Sequence, residues 1–472
     1  MNQYMPKYLK TKNRMMIFDL FRNQNIMSRA ELVRITGISF PTVLKIVDKL
    51  LELGILIELE ETTQSPGAGR RGHLLRFNPR AYYAIGLEFE GQIVHMGLVD
   101  MLGTCQYCRS IHLPVQNHTL ELSKLTREIS KLMALAAGEQ IPVLGIGIGF
   151  PAMVNPQTNS IIHMSYMNID HEVTFAEAFP EFTAALPVPF FLDNDVNFAC
   201  LGEAFLRRRC PEYQNLVYFT LGTGCGVSYM MNGELWYGAT HKSGEIGNMP
   251  VTSFQIPGAD VPEPKPFEQL INLEAIYQRF QINLQQNPGF PETMRDEIIN
   301  YLCPYLSYTL TNLTYLLDIQ HCVLTGIIPL ALGDPLLQRI QEAIRTTLVH
   351  NTLQIEPSIS RDTGIIGAAV TVFNKRLEVL FEEESGILLY PLIGLRQNKP
   401  CHMRNPLFRP TPVVLYTAAW FPDQCDSFFI VLRTRNTIAD TAGAVHEIIP
   451  VVKEVLDVIS SIPLHHTGIK RV

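Results

Sequence analysis

The amino-acid sequence predicts an α/β protein with a small helical domain at its N-terminus and a short α+β extension at its C-terminus. Beyond Pro79, strand-like and helix-like segments alternate, which is typical of α/β proteins. The first 80 residues have helical periodicity and a different charge from the rest, and about ninety residues at the end follow a third pattern. A chain of 472 residues has room for about two to four domains.

Composition indicates a globular protein whose charge is divided unevenly. Apolar residues make up 47% of the chain and charged residues 18%. We find no stretch apolar enough for a membrane helix and no signal peptide, so we expect a cytoplasmic protein that does not bind membranes. Residues 1–80 contain 13 lysines and arginines against 7 acidic residues, whereas the remainder has a net charge of −13. We therefore expect only the N-terminal region to bind a polyanion.

The nine cysteines lack the dense, regular spacing of a secreted disulfide framework, which favours reduced thiols. Cys105 and Cys108 form a CxxC motif, a pattern found in metal sites and in redox pairs. Because no second CxxC lies nearby, we favour ordinary reduced thiols and predict no metal site.

The N-terminal region has the pattern of a helix-turn-helix. Ser28 and Glu31 form a capping-box pattern at the start of a short helix that extends through Val33. Gly37 supplies the tight turn, and Ser39 is expected to cap a second helix. That second helix has an apolar stripe and an outward polar face.

We expect four residues at the start and on the polar face of the second helix to contact DNA: Ser39, Thr42, Lys45 and Lys49. Two strand-like segments with a polar tip follow and form a wing, from which Arg70 and Arg71 would reach phosphates or a narrow minor groove. Residues 1–80 are therefore predicted to be a winged helix-turn-helix that binds operator double-stranded DNA. A helical dimerisation domain or a solvated basic face would have a similar pattern.

Five motifs follow one another along the rest of the chain: GFPAMVNP (149–156), DNDVNFACLGE (193–203), LGTGCGVSYMMNG (221–233), SGEIGN (243–248) and TGIIGAA (363–369). Together with the winged helix, they resemble the ROK family of repressors and sugar kinases over roughly residues 9–375. The resemblance implies an actin/hexokinase-like, two-lobed sugar-kinase fold and assembly as a homodimer or homotetramer. The N-lobe would span 81–205, and the C-lobe 206–376, with a terminal helix that returns to the N-lobe.

The resemblance also implies a sugar-binding site. Asn194 and Asp195 match the family's Asn-Asp pair, in which both side chains bind sugar and the aspartate is the general base of the kinases. Glu245 matches a sugar-binding glutamate, and Asn248 stands where many members have a histidine that binds sugar and zinc. Glu274 matches a further sugar-facing glutamate. A helix N-cap at residue 194 and a solvated helix carboxylate at residue 274 are the alternatives.

Cofactors are not expected. Besides lacking the histidine, residues 249–302 contain no cysteine, so the family's zinc site is missing. The Asp-x-Gly-Gly-Thr turn of the kinases is replaced by GLEFEGQIV, in which Glu88 and Glu90 bring negative charge to the place of the ATP phosphates. Gly222–Gly224 remains, and we favour a structural turn there over contact with a nucleotide.

These expectations combine into a bacterial, sugar-responsive transcriptional regulator, a repressor in the simplest form, that binds a sugar or sugar derivative without phosphorylating it. An ATP-dependent sugar kinase with Asp195 as general base is the alternative, and a ligand-independent DNA-binding scaffold is a third possibility. The pattern of residues 377–472 predicts an α+β extension without indicating its role.

Overall fold

In the computed structural model of the protein, the described residues are 4–63, 72–116, 119–250, 265–284, 289–350 and 352–382, together with two short strands near the C-terminus. The chain divides into two compact units, residues 1–384 and 385–472. In the second unit, Leu415–Tyr416 pairs antiparallel with Val431–Leu432. The rest of the predicted α+β extension beyond Glu382 lies outside the described residues.

The N-terminal domain has the elements of a winged helix-turn-helix: α1 (Tyr4–Gln24), β1 (Ile26–Ser28), α2 (Arg29–Thr36), α3 (Phe40–Glu52), β2 (Leu56–Thr63) and β3 (Gly72–Phe77). Its three strands form one antiparallel sheet in the order β1-β3-β2. Apolar side chains of α1 and α3, among them Phe18, Phe21, Val43 and Val47, are buried in its core.

The capping box predicted for α2 is confirmed. The Ser28 hydroxyl accepts a hydrogen bond from Glu31 N (3.2 Å), and the Glu31 carboxylate accepts one from Ser28 N (2.8 Å). The helix ends at Thr36, later than predicted, and Gly37 with φ 66° forms its C-cap. The side-chain cap predicted for Ser39 is wrong, because its hydroxyl pairs with that of Thr42 (2.9 Å) and only its carbonyl accepts from the helix.

The N-lobe follows in chain order with β4 (Tyr83–Glu90), β5 (Ile93–Asp100), β6 (Cys105–His112), β7 (Val115–Gln116), β8 (Thr119–Leu120), α4 (Ser123–Gly138), β9 (Val143–Phe150), β10 (Met153–Asn155), β11 (Ser160–His163), β12 (Val173–Thr174), α5 (Phe175–Ala178), α6 (Pro180–Ala184), β13 (Phe190–Asn194) and α7 (Asp195–Leu206). The C-lobe continues with β14 (Leu216–Leu221), β15 (Cys225–Met231), β16 (Glu234–Leu235), α8 (Glu268–Ile271), α9 (Leu273–Phe280), α10 (Glu292–Leu317), β17 (His321–Thr325), α11 (Ile327–Leu332), α12 (Asp334–Thr347), β18 (Gln354–Glu356) and α13 (Thr363–Glu382).

Both lobes are built on a five-stranded sheet with the same topology, in the orders β13-β9-β4-β5-β6 and β16-β15-β14-β17-β18. Three consecutive strands pair antiparallel in each sheet, and the first of them also pairs in parallel with a later strand. The repeated sheet is what the predicted two-lobed fold requires.

Two helices connect the sheets. Helices α7 and α13 pack on each other; α13 lies against β4 and β9, and α7 also contacts β14 and β15. Because the parallel strands β13, β9 and β4 end at one edge of the sheet, Asn194, Phe150 and Glu90 lie at the same edge, where α7 begins. No helix among the described residues is long and apolar enough to cross a membrane.

The expectation of reduced cysteines is wrong for one pair, since Cys105 and Cys108 are joined by a disulfide. Tyr107, which lies between them, has φ 53°, and this local distortion of β6 brings the two sulfurs to one side of the strand. The other cysteines of the described chain are free thiols.

Candidate functional site

The outward face of α3 carries most of the residues predicted to contact DNA. Ser39 and Lys45 are exposed and Thr42 is half-buried. Lys49 is turned further inward, and its ammonium group lies 3.4 Å from the Glu52 carboxylate. The wing residues Arg70 and Arg71 lie outside the described residues.

Two apolar residues on α3 were missed by the sequence reasoning. Phe40 and Leu44 are 53% and 37% exposed, one helical turn apart and next to Lys45. The sequence carried little sign of them, because apolar side chains in a helix are usually expected in the core and polar ones on a DNA-facing surface. Apolar side chains in the major groove of DNA contact the methyl group of thymine.

A group of carboxylates from both lobes lies around the start of α7. Asp195, the first residue of α7, is half-buried, and its Oδ1 accepts a hydrogen bond from Val196 N (2.9 Å). Burial, with a contribution from Glu245 and Glu90, raises the pKa of Asp195 to about 7. At neutral pH this carboxyl group can therefore both donate and accept a proton.

Asn194 forms the N-cap of α7. Its Oδ1 accepts from Val196 N (2.9 Å) and Asn197 N (3.2 Å), and its Nδ2 donates to Ala152 O (3.1 Å). The capping alternative is therefore realised. Contact with a sugar remains a prediction, for which one amide hydrogen is left beyond the bond to Ala152.

Beneath this pair lies a polar network that the sequence did not indicate. The Asp193 carboxylate is 2% exposed and accepts from the Tyr237 hydroxyl (2.6 Å) and from Asn197 Nδ2 (2.9 Å). Asn197 in turn accepts from the Ser228 hydroxyl (2.7 Å). Burial raises the pKa of Asp193 to about 6. Because Tyr237 and Ser228 belong to the C-lobe, the network holds the end of β13 against the second lobe.

Glu245 faces this region from the C-lobe. Its side chain is open to solvent, yet the surrounding protein and the Glu268 carboxylate raise its pKa, while His163 on β11 lowers it. Asn248 is exposed three residues further on, at the end of a single 3₁₀ turn. Glu274 is exposed on α9 and accepts from Gln278 (2.8 Å), as the solvated-carboxylate alternative predicted.

A carboxylate is hydrogen-bonded to the end of the glycine turn between β14 and β15. Glu268 Oε2 accepts a hydrogen bond from Cys225 N (2.8 Å), at the end of Gly222–Gly224. On the other side, the carbonyl of Gly222 accepts from Leu273 N at the start of α9 (2.9 Å). Both contacts hold the turn in place. No motif pointed to Glu268, which is the second carboxylate of the C-lobe near Glu245.

Glu88 lies in the segment that replaces the Asp-x-Gly-Gly-Thr turn of the kinases, and its carboxylate reaches the start of α13. The Glu88 carboxylate accepts a hydrogen bond from Ile365 N, and a Cβ at Gly364 would overlap it. Burial, Asp195, Glu90 and Asp362 raise the pKa of Glu88 to about 8. By contrast, a hydrogen bond from His95 lowers the pKa of the exposed Glu90. Glu88 is thus held by the backbone at the helix end that would otherwise favour an anion.

α7 extends from these carboxylates to the N-terminal domain. Phe205, near its end, stacks on the Arg22 guanidinium of α1 (4.5 Å to the ring centre). Arg22 is 3% exposed and also donates to Met101 O (3.2 Å). One helix therefore contacts both the candidate sugar site and the candidate DNA-binding domain.

Two bacterial proteins are similar to this chain in sequence. The chain is 25% identical to the xylose repressor of Bacillus subtilis over 244 residues, which are 51% of this chain and 61% of that protein. It is also 25% identical to a glucokinase of Halalkalibacterium halodurans, over 48% of this chain and 74% of that one. The chain thus spans less than two thirds of the first of these relatives.

A solved ROK family transcriptional regulator, described as a homologue of the Escherichia coli MLC protein, has the same fold. It superposes with a TM-score of 0.62 at 18% identity, over 79% of this chain and 98% of that chain. The predicted actin/hexokinase-like fold with an N-terminal winged helix-turn-helix is confirmed. Because the model of the ROK family matches residues 84–375, more than half of the chain, this protein belongs to the ROK family.

Proposed function

We propose that this protein is a sugar-responsive transcriptional repressor, in which operator DNA binds to the winged helix-turn-helix and a sugar or sugar derivative binds between the lobes. The observation that carries the proposal is the path of α7, whose first residue is Asp195 and whose far end contacts Arg22 of the N-terminal domain through Phe205. The similarity to a xylose repressor supports the same assignment.

The side chains around the start of α7 suit a polyhydroxy ligand. Sugar hydroxyls both donate and accept hydrogen bonds, and the Asp195 carboxyl group, with its pKa of about 7, does the same near neutral pH. Glu245 adds carboxylate oxygens that accept. The remaining amide hydrogen of Asn194 and the exposed amide of Asn248 add donors. In this proposal these four residues bind the sugar, and Glu274 has a smaller part because it lies on an exposed helix surface.

We further propose that the sugar is not phosphorylated and that neither ATP nor zinc is needed. A phosphate would need free backbone N–H groups, and carboxylates accept from two of those groups, Ile365 N at the start of α13 and Cys225 N directly after the Gly222–Gly224 turn. Protonation of Glu88 weakens charge repulsion at neutral pH, so occupancy of the donors is the stronger obstacle.

A sugar kinase is the second candidate, and one observation favours it. An aspartate with a pKa of about 7 is well suited to act as a general base at neutral pH. The similarity to a glucokinase points in the same direction. In this alternative, Asp195 would take the proton from the sugar hydroxyl that attacks the phosphate.

Regulation requires the sugar to bind one arrangement of the lobes better than another. Closure of the C-lobe on a sugar would move the start of α7, which the network of Asp193, Tyr237 and Asn197 holds against that lobe. The far end of α7 would then shift α1. In a homodimer or homotetramer, such a shift changes the spacing of two α3 helices and hence the fit to paired half-sites.

The test is an operator-binding titration with the full chain, using DNA selected from a random pool, with and without monosaccharides and their 6-phosphates. We expect a sugar that stabilises the protein to change operator affinity by roughly 5- to 150-fold. Operator affinity that stays constant with every sugar that binds would refute sugar response. Failure to bind any DNA at low salt would refute the DNA-binding assignment separately.

A further inference from the structure

The two cysteines of β6 are placed side by side by a distortion of the backbone. In a regular strand, residues three positions apart point to opposite faces. Tyr107 has φ 53°, and the pairing of β5 with β6 shifts register between Met96 and Leu98. This bulge turns Cys105 and Cys108 to the same side, with their Cα atoms 6.3 Å apart.

The neighbouring strand leaves room for both sulfurs. Gly97 lies opposite the pair on β5, and a Cβ there would overlap the Cys105 sulfur and lie 3.3 Å from that of Cys108. Any other residue at this position would push the sulfurs away. Two separate features, the bulge and the glycine, thus bring the thiols together.

A third donor arrives from a distant part of the chain. Asp362 precedes α13, and its carboxylate and the two sulfurs all lie within 4.8 Å of one another. Cys105 and Asp362 are half-buried, and Cys108 is exposed, which leaves one side of the group open to solvent. No other group of three such donors was found within the part of the chain that the structure describes.

We propose that Cys105, Cys108 and Asp362 bind a thiophilic divalent cation of the zinc class when the cysteines are reduced. Two thiolates and a carboxylate are ordinary zinc ligands, and water completes a tetrahedral shell through the open side. Donor atoms around zinc lie about 3.5 Å apart, a spacing that the observed grouping within 4.8 Å accommodates.

In this proposal Cys105 and Cys108 have two states, the disulfide and a pair of metal-bound thiolates. A cellular dithiol gives two electrons and two protons to the disulfide, which yields two cysteine thiols and the oxidised reductant. Each thiol then releases its proton as the cation binds. The cation would tie β6 to the start of α13, beside Glu88, so the oxidation state of the pair acts on the helix that holds this carboxylate. The site differs in position from the family zinc site, which the sequence lacks at residue 248.

Cobalt titration of the full chain, reduced with a phosphine under anaerobic conditions, tests the proposal. We expect one cobalt ion per chain, with thiolate-to-cobalt charge-transfer absorption and the visible bands of tetrahedral cobalt. Cys105→Ser and Cys108→Ser should remove the charge-transfer band, and Asp362→Asn should weaken binding by roughly tenfold or more. Cys210→Ser, which changes an exposed free thiol, is the matched control and should bind as the wild type does.

A second measurement uses the unmodified sequence, so it does not depend on the folding of the variants. Zinc should protect Cys105 and Cys108, and leave Cys210 unprotected, when the reduced chain is alkylated and analysed by mass spectrometry. Equal alkylation with and without zinc, or a cobalt complex without a thiolate band, would overturn the proposal. Equal binding of cobalt by the disulfide form would overturn it too.

Discussion

At the scale of single residues, the buried carboxyl groups make stability depend on pH. Burial raises the pKa of Asp195 to about 7 and that of Glu88 to about 8. Between about pH 4 and these values, the folded chain holds protons that the unfolded chain has released, so the free energy of unfolding falls as the pH rises. Asp195→Asn should flatten this fall and stabilise the protein at about pH 8 by about 1–3 kcal/mol.

Urea unfolding at about pH 5 and about pH 8 measures this effect. Glu181→Gln changes an exposed carboxylate and should leave the pH dependence as it is in the wild type. A variant lacking Asp195 that lost as much stability between the two pH values as the wild type would contradict the expectation. Some decline should remain, because Glu88 and Asp193 titrate in the same range.

The exposed face of α3 offers two kinds of DNA contact, one charged and one apolar, that mutations can distinguish. Lys45→Ala should weaken binding at every sequence and reduce the salt dependence by about one counterion. Phe40→Ala should leave the salt dependence unchanged, because no charge is lost. It should also remove any preference for thymine over uracil, which lacks the methyl group.

Fluorescence anisotropy with a selected operator, synthesised with either thymine or uracil, distinguishes these effects. Ile35→Ala alters another exposed apolar residue, on α2, and should keep the preference for thymine. If Phe40→Ala bound the two operators with the same ratio as the wild type, thymine readout by this residue would be ruled out.

The sequence located Asp195 and Glu245 because each lies in a short, contiguous motif. The electrostatic partners of Glu245, which are Glu268 and His163, come from segments with no motif and were therefore not predicted. Asp362 joins two cysteines that precede it by more than half of the chain, a proximity that only the packing of α13 creates. Local patterns identified the residues, but the grouping depended on tertiary structure.

At the scale of secondary-structure elements, local signals predicted some features well and missed others. The capping box of α2 and the turn at Gly37 use residues whose chemistry determines the conformation. The bulge in β6 places Tyr107 at φ 53°, a conformation that this residue type does not favour, so the sequence carried no sign of it. The Ser39 hydroxyl pairs with that of Thr42 and therefore does not cap α3.

Helix α7 is the element on which regulation depends in our proposal. Arg22→Met removes the stacking on Phe205 and the hydrogen bond to Met101 O but keeps an apolar side chain of similar length. We expect this variant to bind sugar and operator, while the effect of sugar on operator affinity decreases by about fivefold, or about 1 kcal/mol of coupling.

The measurement is the operator titration with and without sugar, carried out on Arg22→Met and on Arg29→Met. Arg29 pairs with Asp48 and Glu58 inside the N-terminal domain, so its loss should not change the coupling. An unchanged sugar response in Arg22→Met would show that the signal does not pass through this contact.

At the scale of the whole molecule, two backbone N–H groups bear on whether the protein is a sensor or an enzyme: one at the start of α13 and one directly after the Gly222–Gly224 turn. At each of these places, a carboxylate of the chain itself accepts from the backbone N–H group: Glu88 from Ile365 N, and Glu268 from Cys225 N. A nucleotide phosphate would have to displace both carboxylates and carry more negative charge to a site already rich in acidic residues. We therefore expect the full chain to bind a sugar but not magnesium nucleotide, and to transfer no phosphate.

Thermal unfolding with monosaccharides, with magnesium ATP and with both tests this expectation. A sugar at 100 times its Kd should stabilise the protein by about 2.7 kcal/mol, whereas magnesium ATP should not shift the transition. A glucokinase of the same family, assayed in parallel for ADP release, provides the positive control. ADP release that requires sugar and disappears in Asp195→Asn would establish the protein as a sugar kinase. It would show that the nucleotide displaces the carboxylates of Glu88 and Glu268 and that Asp195 acts as a base.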